Sequence, residues 1–255
     1  MRTYRRILTG LIVLILAGDA VAVVALREDA MAARRTAPPG PSTTAPTTTT
    51  STMTIRPWIL LRDDFGSASA YRSSDSETAE VTTSDGQHRM RFKRSRDVYS
   101  VLPAEAPERA RIEATQNVSV AVEARHLSGA PDDWFGVFCR YHGLDGDTYL
   151  GMVVADGSWG IFRVTLGSQR GPYGLRPFVR GREPGFTGTP SPDTVFRIRL
   201  DCAGDTLTAL RLYLNGKEIG RASDTAGVGP GNIGFAASSG TGELAFDNLV
   251  VAEFS

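Results

Sequence analysis

Reactive side chains are scarce in this chain of 255 residues, which has two cysteines, three histidines and three tryptophans. His88, His126 and His142 are scattered, and none has a neighbour at the spacing of a zinc site. The HExxH and GxSxG signatures are both missing, which removes the usual sequence grounds for a zinc or a serine hydrolase. Net charge is lacking too, since 28 Lys plus Arg balance 28 Asp plus Glu. The balance is uneven along the chain: residues 1–56 hold seven Arg against three acids, which leaves 21 basic and 25 acidic residues in 57–255. A mildly acidic globular part argues against nucleic acid as a partner. Helical periodicity is absent from residue 58 onward, where short alternating runs separated by Gly, Pro, Asp and Ser recur instead.

One long apolar run is present, LTGLIVLILAGDAVAVVAL at residues 8–26. As a helix its nineteen residues would reach about 28 Å, enough to cross a bilayer. Arg2, Arg5 and Arg6 precede it, so residues 1–7 are expected in the cytoplasm, 8–26 as a transmembrane signal-anchor, and everything after it outside the cell. Asp19 is a costly residue for such a span. The other reading is a signal peptide cleaved after Ala22, behind the small residues of Ala20-Val21-Ala22, which yields a secreted protein. Residues 36–54 contain nine Thr and four Pro, so 27–56 is expected to be an extended, disordered linker open to O-glycosylation. Both readings export residues 57–255.

That remainder reads as an all-β domain. QHRMRFKR sets His88, Met90 and Phe92 against Arg89, Arg91 and Lys93; NVSVAVEA puts Val118, Val120 and Val122 on one face; VFRIRLDC does the same with Phe196, Ile198, Leu200 and Cys202. In LRLYLNGKEIG, Leu210, Leu212 and Leu214 alternate up to Asn215-Gly216, the dipeptide of a type I′ hairpin turn. About twelve such strands fit a two-sheet antiparallel sandwich. In DDWFGVFCRYHGLDGDTYLGM, residues 132–152, Phe135, Val137, Cys139 and Tyr141 share one strand face and HGLDGD is a turn. Cys139 and Cys202 therefore both point inward. In an extracytoplasmic domain they either pair as a disulfide or lie apart as buried thiols; a catalytic thiol would need exposure and a neighbouring base.

RDDFGSASAYR, FGVFCRY, LDCAGDTL with LYLNGKEI, GNIGFAAS and the closing AFDNLVV, in that order, resemble the concanavalin A-like lectin/glucanase (laminin-G-like) jelly rolls. The closer resemblance is to the bacterial extracytoplasmic type found on membrane-anchored proteins. It covers about residues 59–255. It implies a jelly-roll sandwich with a concave face that often binds glycans, and a structural cysteine pair at positions like Cys139 and Cys202. A lectin-like fold does not by itself establish sugar binding.

The glucanases of that superfamily place carboxylates at near-alternate positions of one strand, so that two of them flank the scissile bond. No such strand is found. Asp132 and Asp133 are adjacent and point to opposite faces, as do Asp63 and Asp64; Glu243 and Asp247 are in phase but four residues apart. Asp145 and Asp147 can offer oxygens on one side of a loop, a weak calcium candidate beside the plainer reading of a polar turn. No other cofactor is implied. If Cys139 points in, Trp134, Phe138 and Arg140 point out. The same alternation, with Leu150, Met152, Phe162 and Val164 inward, turns Tyr149, Trp159 and Arg163 outward. These six residues form a candidate sugar platform of ring faces and guanidinium groups. The alternative is that loops such as GPYGLRPFVRGREPGF fold over this face and make it a second small core. Arg89, Arg91, Lys93, Arg94 and Arg96 form a basic stripe, read as a solvated face or as a contact for an anionic polymer. Asn117-Val118-Ser119 matches the N-glycosylation triplet inside a strand. The function expected is non-catalytic binding of a cell-envelope or external glycan; the alternatives are a protein-interaction or sensory ectodomain and a divergent glycoside hydrolase.

Overall fold

The structure, a computed structural model, describes residues 58–66, 69–71, 73–94, 96–103, 106–143, 146–165, 174–184 and 189–255. The expected membrane helix, the Thr/Pro linker and Asp145 lie outside the described residues. Among the described residues, no helix is long and apolar enough to cross a membrane.

The chain runs β1 (Trp58–Asp63), β2 (Ser74–Asp75), β3 (Ala79–Ser84), β4 (Gln87–Phe92), β5 (Arg96–Val101), α1 (Arg109–Ala114), β6 (Val118–Ser128), β7 (Trp134–Tyr141), β8 (Asp147–Val154) and β9 (Ser158–Thr165). It continues through β10 (Gly174–Arg182), β11 (Phe196–Ala203), β12 (Thr208–Leu214), β13 (Lys217–Asp224), β14 (Asn232–Ser239) and β15 (Glu243–Glu253). A nine-stranded sheet has the order β13-β12-β11-β6-β15-β4-β3-β2, with β1 also paired to β15; a six-stranded sheet has the order β10-β9-β8-β7-β14-β5. The pairings are antiparallel.

Alternation explains most of this. Val118, Val120, Val122 and Ala124 of β6 and Phe196, Ile198, Leu200 and Cys202 of β11 are all buried, and their registers bring Val120 opposite Leu200 and Val118 opposite Cys202. They meet Phe135, Val137, Phe235 and Phe246 in one core between the sheets. Each such side chain contributes about 2 kcal/mol through removal from water. Asn215 and Gly216 take φ of 52° and 82°, as the expected hairpin turn requires. β15 pairs with β4 through residues 243–246 and with β1 through residues 249–253, the change of partner falling at a bulge where Asn248 has φ 52°. The six-residue α1, too short to show a period, buries Ile112 at one end of the core.

Candidate functional site

β7 sets the geometry of the six-stranded sheet. Phe138 lies opposite Gly234 of β14 and Tyr141 lies opposite Asn232, so Cys139 and Arg140 together face Ile233. This is a β-bulge, and Arg140 takes φ 59° within it. Both side chains therefore enter the sandwich. Cys139 forms the disulfide with Cys202, as the inward phase of both strands and the family resemblance implied. Arg140 is fully buried, and its Nη1 donates to Thr208 Oγ1 at 2.8 Å and to the Val228 carbonyl, while Nη2 donates to the Gln116 carbonyl at 2.8 Å and to that of Gly204. It ties three loops to β12 at one end of the sandwich. The expectation that Arg140 faces outward is corrected by the bulge.

β8 and β9 run in the phase opposite to that expected. Cys139 pairs with Tyr149, Val137 with Gly151 and Phe135 with Val153, so Tyr149 shares the inward face with the cysteine. A Cβ on Gly151 would meet Leu200 and Leu212 of the other sheet. Tyr149 is buried, donates its hydroxyl to Asp224 Oδ2 at 2.9 Å and accepts the Val228 N–H. On β9, Trp159 and Arg163 also lie on the inward side. Trp159 packs against the main core at its margin, where a Cβ on Gly181 or Gly220 would strike the indole at 2.3 and 2.5 Å. Arg163 bridges two acids, with Nε 2.9 Å from Asp147 Oδ2 and Nη1 2.9 Å from Asp224 Oδ2. Burial alone would raise both aspartates; for Asp147 the hydrogen bonds from Thr165 and Arg163 outweigh it, and for Asp224 those from Ala226, Tyr149 and Arg163 do, so both lie below the ordinary carboxylate range. Asp147 is thus engaged by Arg163 and Thr165, and among the described residues no group of three or more His, Cys, Asp or Glu could hold a metal ion.

Of the six platform candidates, Trp134 and Phe138 do face away from the main core. There Phe138, Leu150, Phe162, Val164 and Ala236 form a second buried cluster with Trp134, Tyr141 and Met152 packed beside it. Most of this face is therefore a second core, the alternative weighed from the sequence. One margin stays open: a groove of about 410 Å³ whose lining includes Met152, Val154, Phe162, Leu175 and Arg180 and, of the six platform candidates, Trp159 at its edge. Its size falls in the usual range for small-ligand sites. The Arg180 guanidinium sits 5.2 Å from the centre of the Phe162 ring, and Leu175 is exposed. Arg180 and Leu175 belong to β10, which Gly174–Arg182 of the stretch GPYGLRPFVRGREPGF form in place of the expected loop. Pro177 is tolerated there because β10 is an edge strand and bulges between Pro177 and Val179. β10 also carries Arg176 and Arg182; Arg182 pairs with Asp156 at 3.2 Å, whereas Arg176 and Arg180 have no ion pair among the described residues.

Other sequence features find ordinary partners. Arg89 and Arg91 of the basic stripe lie 3.9 and 3.4 Å from Glu243, and Lys93 bonds Asp75. Asn117 accepts the Gly204 N–H at 2.9 Å and Ser119 donates to Asp201 at 2.7 Å, so both ends of the glycosylation triplet are tied into the sheet. His126 Nε2 lies 3.0 Å from Asp133 Oδ2 with both groups buried, while Asp132 is exposed.

No family model matches the chain, and no curated protein matches its sequence. Solved structures match its fold. The κ-carrageenase from Pseudoalteromonas carrageenovora, in complex with an oligotetrasaccharide of κ-carrageenan, aligns with TM-score 0.53 at 8% identity over 83% of this chain and 100% of its own. A structure described under endo-acting O-glycanases that prominent members of the human gut microbiota express to initiate mucin breakdown aligns with TM-score 0.50 at 13% identity over 77% and 100%. The carbohydrate-binding module CBM66 from Bacillus subtilis aligns with TM-score 0.43 at 12% identity over 75% and 95%. The fold is the concanavalin A-like two-sheet jelly roll.

Proposed function

We propose that this protein is a non-catalytic carbohydrate-binding module held outside the cytoplasmic membrane by its N-terminal segment, and that the β8–β10 groove takes an acidic glycan. The observation that carries the reading is the pairing of Arg180 with the Phe162 ring beside exposed Leu175. A pyranose has an apolar C–H face and a polar edge, and this groove offers both an apolar floor and a guanidinium. Two matched structures with TM-scores of 0.53 and 0.50 are named for proteins that act on carbohydrates, which supports the same class of ligand. Among the described residues no carboxylate lines the groove, whereas glycoside hydrolysis ordinarily uses two flanking the bond. Arg180 lacks an acidic partner among the described residues, which favours a carboxylated or sulfated chain.

The test uses the full chain with hexamers of galacturonate and of mannuronate and with chondroitin sulfate. At least one is expected to bind, with an affinity that falls as salt rises, and the Arg180→Ala variant is expected to lose about tenfold or more. Release of reducing ends from any of these during long incubation would favour the hydrolase reading instead.

A further inference from the structure

The outer face of the nine-stranded sheet carries a second groove, of about 300 Å³, on the other sheet from β10 and sharing no lining residue with the β8–β10 groove. Its floor follows from register. Tyr213 of β12 pairs with Arg199 of β11, Arg199 with Ala121 of β6, Ala121 with Val250 of β15, and Val250 with Arg62 of β1, so five strands contribute one row on one face. Ala121 is the smallest member of that row, and the depression lies over it and Val250. The Arg199 guanidinium lies over the Tyr213 ring at 3.7 Å from its centre, forming a rigid wall on one side.

The next row supplies polar groups. Arg197 Nε donates to Glu123 Oε1 at 2.8 Å, and Asn248 Nδ2 donates to Glu123 Oε2 at 3.2 Å. Asn248 reaches Glu123 because it occupies the bulge of β15, with positive φ. The hydrogen bond from Arg197 lowers the Glu123 pKa against its partial burial, with Asn248 helping, so the carboxylate is charged and fixed. Arg197 keeps spare N–H donors, and Asn248 keeps its carbonyl as an acceptor. Each cation here has an acid beside it, Glu123 for Arg197 and Asp201, at 3.2 Å, for Arg199. An apolar floor, an aromatic wall and a charge-balanced rim of both donors and acceptors match a sugar ring with free hydroxyls and no ionised group.

We propose that this groove is a second carbohydrate site, selective for uncharged oligosaccharides, on the face of the sandwich opposite the β8–β10 groove. One domain would then hold an acidic chain on one sheet and a neutral chain on the other. Two sites on opposite faces make the domain a cross-link between polymers.

The test titrates the full chain with cellohexaose, laminarihexaose, xylohexaose and N-acetylchitohexaose by calorimetry. At least one is expected to bind. Ala121→Leu, which fills the floor, is expected to weaken that binding about tenfold or more, and Tyr213→Ala, which removes the wall, to do the same by a different route. Arg180→Ala is expected to leave it unchanged. The proposal is overturned if none of the four binds, if both variants bind like the wild type, or if Arg180→Ala abolishes the binding. Acidic-hexamer binding that persists in Ala121→Leu would keep the first groove standing whatever the fate of the second.

Discussion

Cys139 and Arg140 are consecutive residues whose side chains both enter the sandwich, one into a disulfide with Cys202 and the other into a cage of one hydroxyl and three carbonyl oxygens. The bulge opposite Ile233 makes this possible, and the two devices together close one end of the domain. Reduction of the disulfide, which spans 63 residues, is expected to cost about 4 kcal/mol in the chain-entropy view. Arg140→Ala leaves buried carbonyls without their donor and is expected to cost a similar amount or more. Urea unfolding of wild type, reduced protein and variant measures both. A loss under about 1 kcal/mol for Arg140→Ala would contradict the cage.

Tyr71 is expected to respond in the opposite sense. Its ring packs edge-on against Phe65 and His88, yet its buried hydroxyl has no hydrogen-bond partner among the described residues. Burial first, and the nearby Asp63 second, push its pKa well above the ordinary tyrosine value. Tyr71→Phe removes an unsatisfied polar group while keeping the ring, so the variant is expected to be as stable as the wild type or up to about 1 kcal/mol more stable. A loss of more than that on thermal or denaturant unfolding would show that the hydroxyl has a partner.

His88 makes stability depend on pH. It is buried among Phe65, Tyr71 and Phe235 and hydrogen-bonded to Thr83 at 2.7 Å and Ser100 at 2.9 Å. Burial lowers its pKa from 6.5 to about 4. The unfolded chain therefore binds the extra proton between those values, and the contribution is lost as pH falls through that window, by on the order of 3 kcal/mol in all. His88→Gln is expected to show a shallower loss of stability between pH 6.5 and pH 4 than the wild type. Parallel curves for the two proteins would contradict a neutral buried imidazole.

Trp159 fills the margin between β10 and β13 because glycine stands on either side of it. Gly181→Val places a side chain against the indole and is expected to cost about 1–3 kcal/mol and to shift the tryptophan emission. An unchanged spectrum and stability would remove Trp159 from that slot.

Where one strand face meets water, the sequence displays the fold plainly. The alternation of Val118, Val120 and Val122 and that of Phe196, Ile198 and Leu200 locate the core, and the inward phase of Cys139 and Cys202 foretells their pairing. The phase is lost on β8 and β9 because both of their faces are apolar. Tyr149, Gly151 and Val153 look no more like a core face than Leu150, Met152 and Val154, and only the register with Cys139 decides between them. The bulge at Arg140 is equally silent, since an arginine after a cysteine reads as an ordinary outward residue. β10 was hidden by Pro177 and its flanking glycines, which read as loop, and with it went Arg180. The signal that was available is the repeated arginine at 176, 180 and 182 in a stretch that also exposes Leu175.

The central claim is that the open margin of the six-stranded sheet holds an acidic glycan, and backbone amide shifts recorded while a bound uronate hexamer is titrated into the full chain test it most directly. The account predicts that the largest changes cluster at Met152, Phe162, Leu175 and Arg180 and vanish in the Arg180→Ala variant. Binding whose shifts fall elsewhere and survive that variant would contradict it.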